Sequence, residues 1–326
     1  MDENTLVHPV GQSNPPECRI ATARRSVSLR VSIMKRIALV VAVLAWTVSF
    51  AVAQPKPLRV LLITGGCCHD YAAQKELLKT GLEARAHVTV DQVHTDDKST
   101  APPLAILGKA DYAKGYDVVI HDECAAAISD AAKIKDVLAP HRAGLPGVNL
   151  HCAVHSYRIG DPKQPAEAGS ERAQWFDYLG IQSSAHGPKL PIQVTTLKAD
   201  HAAIAGLGWR EWTTNDEELY NNIQVLKTAT ALQHGVQMVK GKDGATQKAE
   251  AVVTWVNDYH GTRVFTTTLG HYNTTVADER YLELVARGLV WACGKNSAEY
   301  LKPGPYPKLS ALSETPAPAA KAKKKQ

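Results

Sequence analysis

Leu58-Arg59-Val60-Leu61-Leu62-Ile63-Thr64-Gly65-Gly66-Cys67-Cys68-His69-Asp70 decides the fold class. The compact apolar run Leu58–Thr64 reads as a strand buried on both faces. A glycine pair follows, and His69–Glu83 carries Leu77, Leu78 and Leu82 at helical spacing. Val88–Val93 and Tyr116–His121 predict two more strands. Ser129 caps a helix through roughly His141, with Ile134 and Leu138 four apart, and Pro146–Leu150 predicts a fourth strand. Strands alternating with helices imply an α/β fold with parallel strands and helical crossovers.

Three runs place histidines where such strands end: Ile63–Asp70, Gly147–His155 and Phe265–His271. In open parallel sheets, ligands bind outside the carboxyl ends of the strands. Neighbouring strands would therefore aim imidazoles, a carboxylate and thiols into one crevice. Further on, Glu171–Leu179 reads as a helix and Ile192–Leu197 as a polar strand. Val225–Leu232, Ala251–Val256 and Thr262–Leu269 read as strong strands, and Asp278–Cys293 as a helix burying Leu282, Val285, Leu289 and Trp291.

The ends differ from the core. Met34-Lys35-Arg36, an apolar run from Ile37 to Val52 and Ala51-Val52-Ala53 describe a secretory signal peptide over residues 34–53. The expected location is exported, periplasmic or extracellular, with the export machinery as a partner; a retained N-terminal membrane anchor is the alternative. Residues 1–33 are polar, Arg-rich and unpatterned and read as a gene-start artefact. Residues 302–326, rich in Pro, Ala and Lys, read as a disordered tail.

The formal charge of +5 comes from these ends. Residues 1–53 hold six basic and three acidic residues, and 302–326 hold six and one, leaving the core at −3. An acidic core gives no footprint for nucleic acid. The core, residues 54–301, is long enough for one large domain. Its five cysteines (Cys67, Cys68, Cys124, Cys152, Cys293) do not form a small-scaffold disulfide framework, and spacing specifies no bridge.

Taken in order, Gly65-Gly66 with His69-Asp70, Gly147–His155 with Ser156-Tyr157-Arg158, and Glu218-Leu219-Tyr220 resemble the ThuA-like (trehalose utilisation) family. So do Val253-Thr254-Trp255 with Gly261–Phe265, Thr268-Leu269-Gly270-His271, and Arg287–Ala292. The resemblance runs from about Leu58 to Gly294. It implies a fold similar to class I glutamine amidotransferases, hence a flavodoxin-like, doubly wound, mostly parallel sheet with helices on both faces. It also implies a role in the catabolism of trehalose and other disaccharides, with 3-keto-glycosides as intermediates.

His151 and His271 are the candidate acid and base, with His69 and Glu218 orienting substrate or sharing the proton work. Asp70, Tyr220, Cys152, His155 and Gly66 are candidate substrate contacts. Each has a structural alternative. For His69-Asp70 it is helix capping by Asp70; His271 suits packing or capping at its strand end; His155 suits a cap or solvent; Glu217-Glu218 suits a solvated acidic run. Cys152 sits near the amidotransferase nucleophile position, but Gly-x-Cys-x-Gly is absent, and position 273, two residues after His271, is Asn rather than Glu. Trp209 and Trp212 favour structure over sugar stacking. No cofactor is certain; His69, His151, His186, His201 and His271 raise a divalent metal such as zinc, although no His-Glu-x-x-His is present.

The expected function is acid–base chemistry of isomerase, hydratase or lyase type on a small carbohydrate, a disaccharide or 3-keto-glycoside. A non-catalytic sugar-binding accessory protein and an amidase or glutaminase are the alternatives. A homo-oligomer is left open.

Overall fold

β1 (Leu58–Gly66) is buried at every position but Arg59, as its apolar run requires. In the computed structural model, which describes residues 54–309, β2 (Val88–Thr95) and β3 (Val118–Cys124) flank it, both parallel. β4 (Gly147–Leu150) continues the parallel ladder, and β9 (Thr262–Thr267) pairs parallel with β4. The expectations for residues 1–33 and 34–53, and for the tail beyond residue 309, lie outside the described residues.

The sheet is mixed rather than mostly parallel, which corrects the doubly wound expectation. Its order is β2-β1-β3-β4-β9-β8-β7-β5-β6, with β5 (Ile181–Thr196), β6 (Glu211–Val225), β7 (Ala229–Lys240) and β8 (Thr246–Tyr259). Beyond β9 every pairing is antiparallel. The reason is local. β8 and β9 are joined through His260 (φ 54) and Gly261 (φ 87), a two-residue turn with both residues left-handed. So short a loop cannot carry a parallel crossover. The run Val225–Leu232 is not one strand: β6 ends at Val225, and β7 begins at Ala229. Of the expected strand Ile192–Leu197, all but Leu197 forms the end of the sixteen-residue β5.

Alternation along β1 feeds two cores. Val60 and Leu62 meet α1 (Tyr71–Arg85) and α5 (Glu279–Ala292) on one face. Leu61 and Ile63 meet α2 (Ala131–Arg142) and α3 (Gln174–Leu179) on the other. Helices on both faces are thus present. Asp130, not Ser129, caps α2, its carboxylate accepting the Ala132 and Lys133 N–H groups. Glu171–Ala173 forms a 3-10 turn leading into α3. Trp291 of α5 is half-buried rather than buried, its ring under the Arg263 guanidinium.

Short helices α4 (Asn273–Val276) and α6 (Ser297–Tyr300) complete the elements. The chain stays packed past residue 301. Lys302 Nζ donates to the Glu83 carbonyl, Tyr306 lies 4.4 Å beneath the Arg85 guanidinium, and Leu309 joins the first core. Among the described residues no helix is long and apolar enough to cross a membrane.

Candidate functional site

The carboxyl ends of β1, β4 and β9 bring three imidazoles together. Gly66 closes β1 at φ +102, and a Cβ there would collide with the Cys124 carbonyl. The turn carries the chain to His69, just before α1. His151 opens a 3-10 turn (His151–His155) directly after β4, in the left-handed region at φ 42. Strain of this kind at a strand end points to a site. His271 follows Gly270 beyond β9. The His69 ring stands edge-on to both His151 and His271, with centroids 4.7 Å away in each case.

Backbone carbonyls orient these rings. His151 Nδ1 donates to the Thr268 carbonyl at 2.6 Å, turning Nε2 towards His271 Nδ1 at 3.3 Å. His69 Nδ1 donates to the His271 carbonyl at 3.3 Å. Gln74, buried on α1, donates to the carbonyls of Gly270 and His271.

The carboxylates arrive from β6. Four register irregularities bend the β5–β6 ladder between Gln182 and Gln193. Gln237 ties the paired strands back to β7 through the carbonyls of Leu190 and Glu217. Glu218 is 5% exposed and lies between the imidazoles, 3.6 Å from His151 Nε2 and 3.5 Å from His271 Nδ1. Half-open to solvent, His186 and Lys189 approach its other side at 3.5 and 3.9 Å. Glu217 is fully buried and accepts the backbone N–H of His271 on both oxygens, at 3.0 and 3.1 Å. It therefore fixes the backbone that carries the His271 ring. The acidic run is no solvated face.

Charge and burial separate the histidines. Burial pulls His151 down, but the adjacent Glu218 and the Glu217 charge outweigh it and leave its pKa raised. Burial, and then the charges of His151 and His271, hold His69 well below its ordinary value. Burial also lowers His271, with Glu218 only partly opposing. Burial pushes Glu218 up, but the two imidazoles overcome that and keep it strongly acidic. The carboxylate is thus ionised, His151 holds its proton to higher pH than an ordinary imidazole, and His69 and His271 give theirs up at lower pH. That is the separation that sorts an acid from a base.

The other candidates divide. Tyr220 is buried with its ring stacked on His155 at 4.0 Å, and His155 Nε2 meets Ser183 Oγ at 2.9 Å. Tyr220 also packs on His151, with ring centroids 5.2 Å apart. Asp70 caps α1 and accepts from Asn273 Nδ2 at 2.9 Å. Cys152 is bonded to Cys124. His201 packs near Trp291, away from the cluster, and Trp209 and Trp212 pack on each other. For a metal, the residues that fit are His69, His151 and His271, each offering one ring nitrogen within 4.8 Å of the others.

The trehalose utilisation family, ThuA, matches residues 59–292. This chain belongs to the ThuA family. Among solved structures, two ThuA-like proteins share its fold. A ThuA-like protein from Parabacteroides merdae is 19% identical at a TM-score of 0.54, covering 74% of this chain and 91% of its own. A ThuA-like protein from Bacteroides uniformis is 14% identical at 0.53, covering 77% and 98%. No curated protein sequence matches. At these identities the structures speak for the fold alone. Within this ThuA chain, Gln74 and Ser183 carry no signal in the sequence, and Thr268, part of a quoted motif, gives none for its carbonyl, since their contacts are made across the fold. Glu217 carried a signal in the acidic run, but its direction came only from the structure.

Proposed function

We propose that this ThuA protein transfers protons on a carbohydrate or its keto derivative, with His151 as acid and His271 as base. The observation that carries this reading is Glu218, buried between two imidazoles at 3.6 and 3.5 Å; its charge favours the protonated form of His151, whereas burial disfavours that of His271. Neutral His271 takes a proton from a carbon next to the carbonyl. His151 gives its proton to the carbonyl oxygen and so forms an enediol. Return of a proton to the neighbouring carbon isomerises the sugar; loss of a leaving group instead completes an elimination. His69 holds the substrate oxygens, and Glu218 keeps His151 charged until transfer.

The family's description, trehalose utilisation, supports a disaccharide or 3-keto-glycoside as substrate. Incubation with 3-keto-trehalose in deuterium oxide tests it. Deuterium should enter the carbon next to the carbonyl with the wild-type protein and not with His151→Ala or His271→Ala. Full incorporation by both variants would overturn the assignment. Calorimetric binding of sugar without exchange or product would favour a sugar-binding accessory protein. The amidase reading lacks support in this state, since Cys152 is bonded to Cys124.

A second reading puts a divalent cation, zinc by ligand type, among His69, His151 and His271. Equilibrium dialysis of untagged protein decides it: stoichiometric zinc lost in His69→Ala supports a metal centre, and no bound ion removes it. Export rests on residues 34–53 and is tested by N-terminal sequencing of secreted protein, with Gln54 the expected first residue.

A further inference from the structure

Four sulfurs that the acid–base reading leaves unused converge beside the site. Cys67 is bonded to Cys68, and Cys124 to Cys152. Cys68 is exposed, Cys67 half-buried, and Cys124 and Cys152 are buried. Cys67 Sγ lies 3.4 Å from Cys124 Sγ, so the two bridges touch. Together they form a path from solvent to the backbone that carries His151.

The outer bridge is a poor structural staple. A disulfide stabilises chiefly by closing a loop, and more for longer loops. Cys67 and Cys68 are neighbours in sequence, so their bond closes almost none. Exposed bridges are the ones that thiols attack most readily. Cys124–Cys152 spans 28 residues and ties β3 to the turn after β4, which suits a bridge whose opening is felt at His151.

We propose that the four cysteines form a thiol–disulfide relay whose substrate is an external dithiol. A thiolate of the dithiol attacks Cys68 Sγ, breaking the Cys67–Cys68 bond and releasing the Cys67 thiolate. The second thiol of the reductant resolves the mixed disulfide, leaving as a disulfide and freeing Cys68. Cys67 then attacks Cys124 Sγ, forming a Cys67–Cys124 bond and releasing the Cys152 thiolate. Cys68 attacks Cys67, restoring the outer bridge and releasing Cys124. One dithiol is oxidised, one inner bridge is reduced, and the two protons of the dithiol end on Cys124 and Cys152.

The test uses the full chain, dithiothreitol as the reductant, an N-ethylmaleimide quench and peptide mass mapping. In C67S/C68S, reduction of Cys124–Cys152 should slow by at least about tenfold, because the exposed entry point is gone. In C68S the relay should stall, giving a Cys67–Cys124 bridge with Cys152 alkylated. Inner-bridge reduction at the wild-type rate in C67S/C68S overturns the proposal. So does C68S protein with Cys67 alkylated and Cys124–Cys152 intact. Circular dichroism reports the fold of each variant, and the C68S trap decides alone if the double variant does not fold.

Discussion

At the scale of single residues, one buried carboxylate sets the character of the histidine cluster. Glu218 stabilises the charged form of His151, while burial disfavours that of His69 and His271. Activity should therefore follow a bell in pH. Its acidic limb reports a base with a pKa below the ordinary histidine value, and its basic limb an acid with a pKa above it. In Glu218→Gln the basic limb should move to lower pH, because His151 loses the charge that retains its proton. Turnover should fall by roughly 10²–10⁴-fold, the range for lost acid–base participation. Glu217→Gln tests positioning. The amide offers one acceptor in place of two, so His271 should shift, with a drop in kcat and a basic limb nearer the wild-type position than that of Glu218→Gln. The sequence places His69, His151 and His271 at strand ends because glycine turns and apolar runs are local signals. It leaves the acidic run ambiguous, since an acidic stretch reads the same whether it faces water or two imidazoles.

At the scale of elements, α2 and β3 are joined by a buried histidine pair. His141 Nδ1 donates to the Leu145 carbonyl at 2.8 Å, and His121 Nε2 meets His141 Nε2 at 3.1 Å. Burial, and then the neighbouring His121, lower the His141 pKa to about 3. The unfolded chain binds a proton there near pH 6.5, and the folded chain does not. Stability present above pH 6.5 is thus lost as pH falls towards 3, by at most about 5 kcal/mol. Denaturant titrations should show that slope, and His141→Asn should flatten it. The β8–β9 turn is a second control point. Gly261 sits at φ 87, so Gly261→Ala should cost about 1 kcal/mol, seen as a lower melting temperature. This turn also explains why alternation in the sequence is not enough. Strand positions near Ala251–Val256 and Thr262–Phe265 are legible from apolar residues, but their antiparallel pairing depends on a two-residue loop. β6 escapes pattern reading because Glu217, Glu218, Leu219 and Tyr220 are buried in a row, on both faces, with two carboxylates among them.

At the scale of the whole molecule, the ThuA domain reaches further along the chain than composition suggests. Leu309 packs into the first core, and Tyr306 covers Arg85, a guanidinium only 1% exposed. Protein ending at Leu301 should melt lower than protein ending at Leu309, by on the order of 5 °C, since a buried leucine and the cover over Arg85 are lost. Lys302–Leu309 reads as tail in the sequence because its contacts are with distant segments and leave no periodic trace. Local residue patterns carry the strand–helix alternation, and the ordered motifs carry the family resemblance, because burial and turn chemistry act over short spans of chain. Only the tertiary structure decided that the sheet turns antiparallel beyond β9. It also decided that Glu218 enters between His151 and His271, and that four cysteines meet in touching pairs. Each of these is a contact across tens to hundreds of residues, and such contacts are set by how the sheet bends and closes rather than by any local pattern.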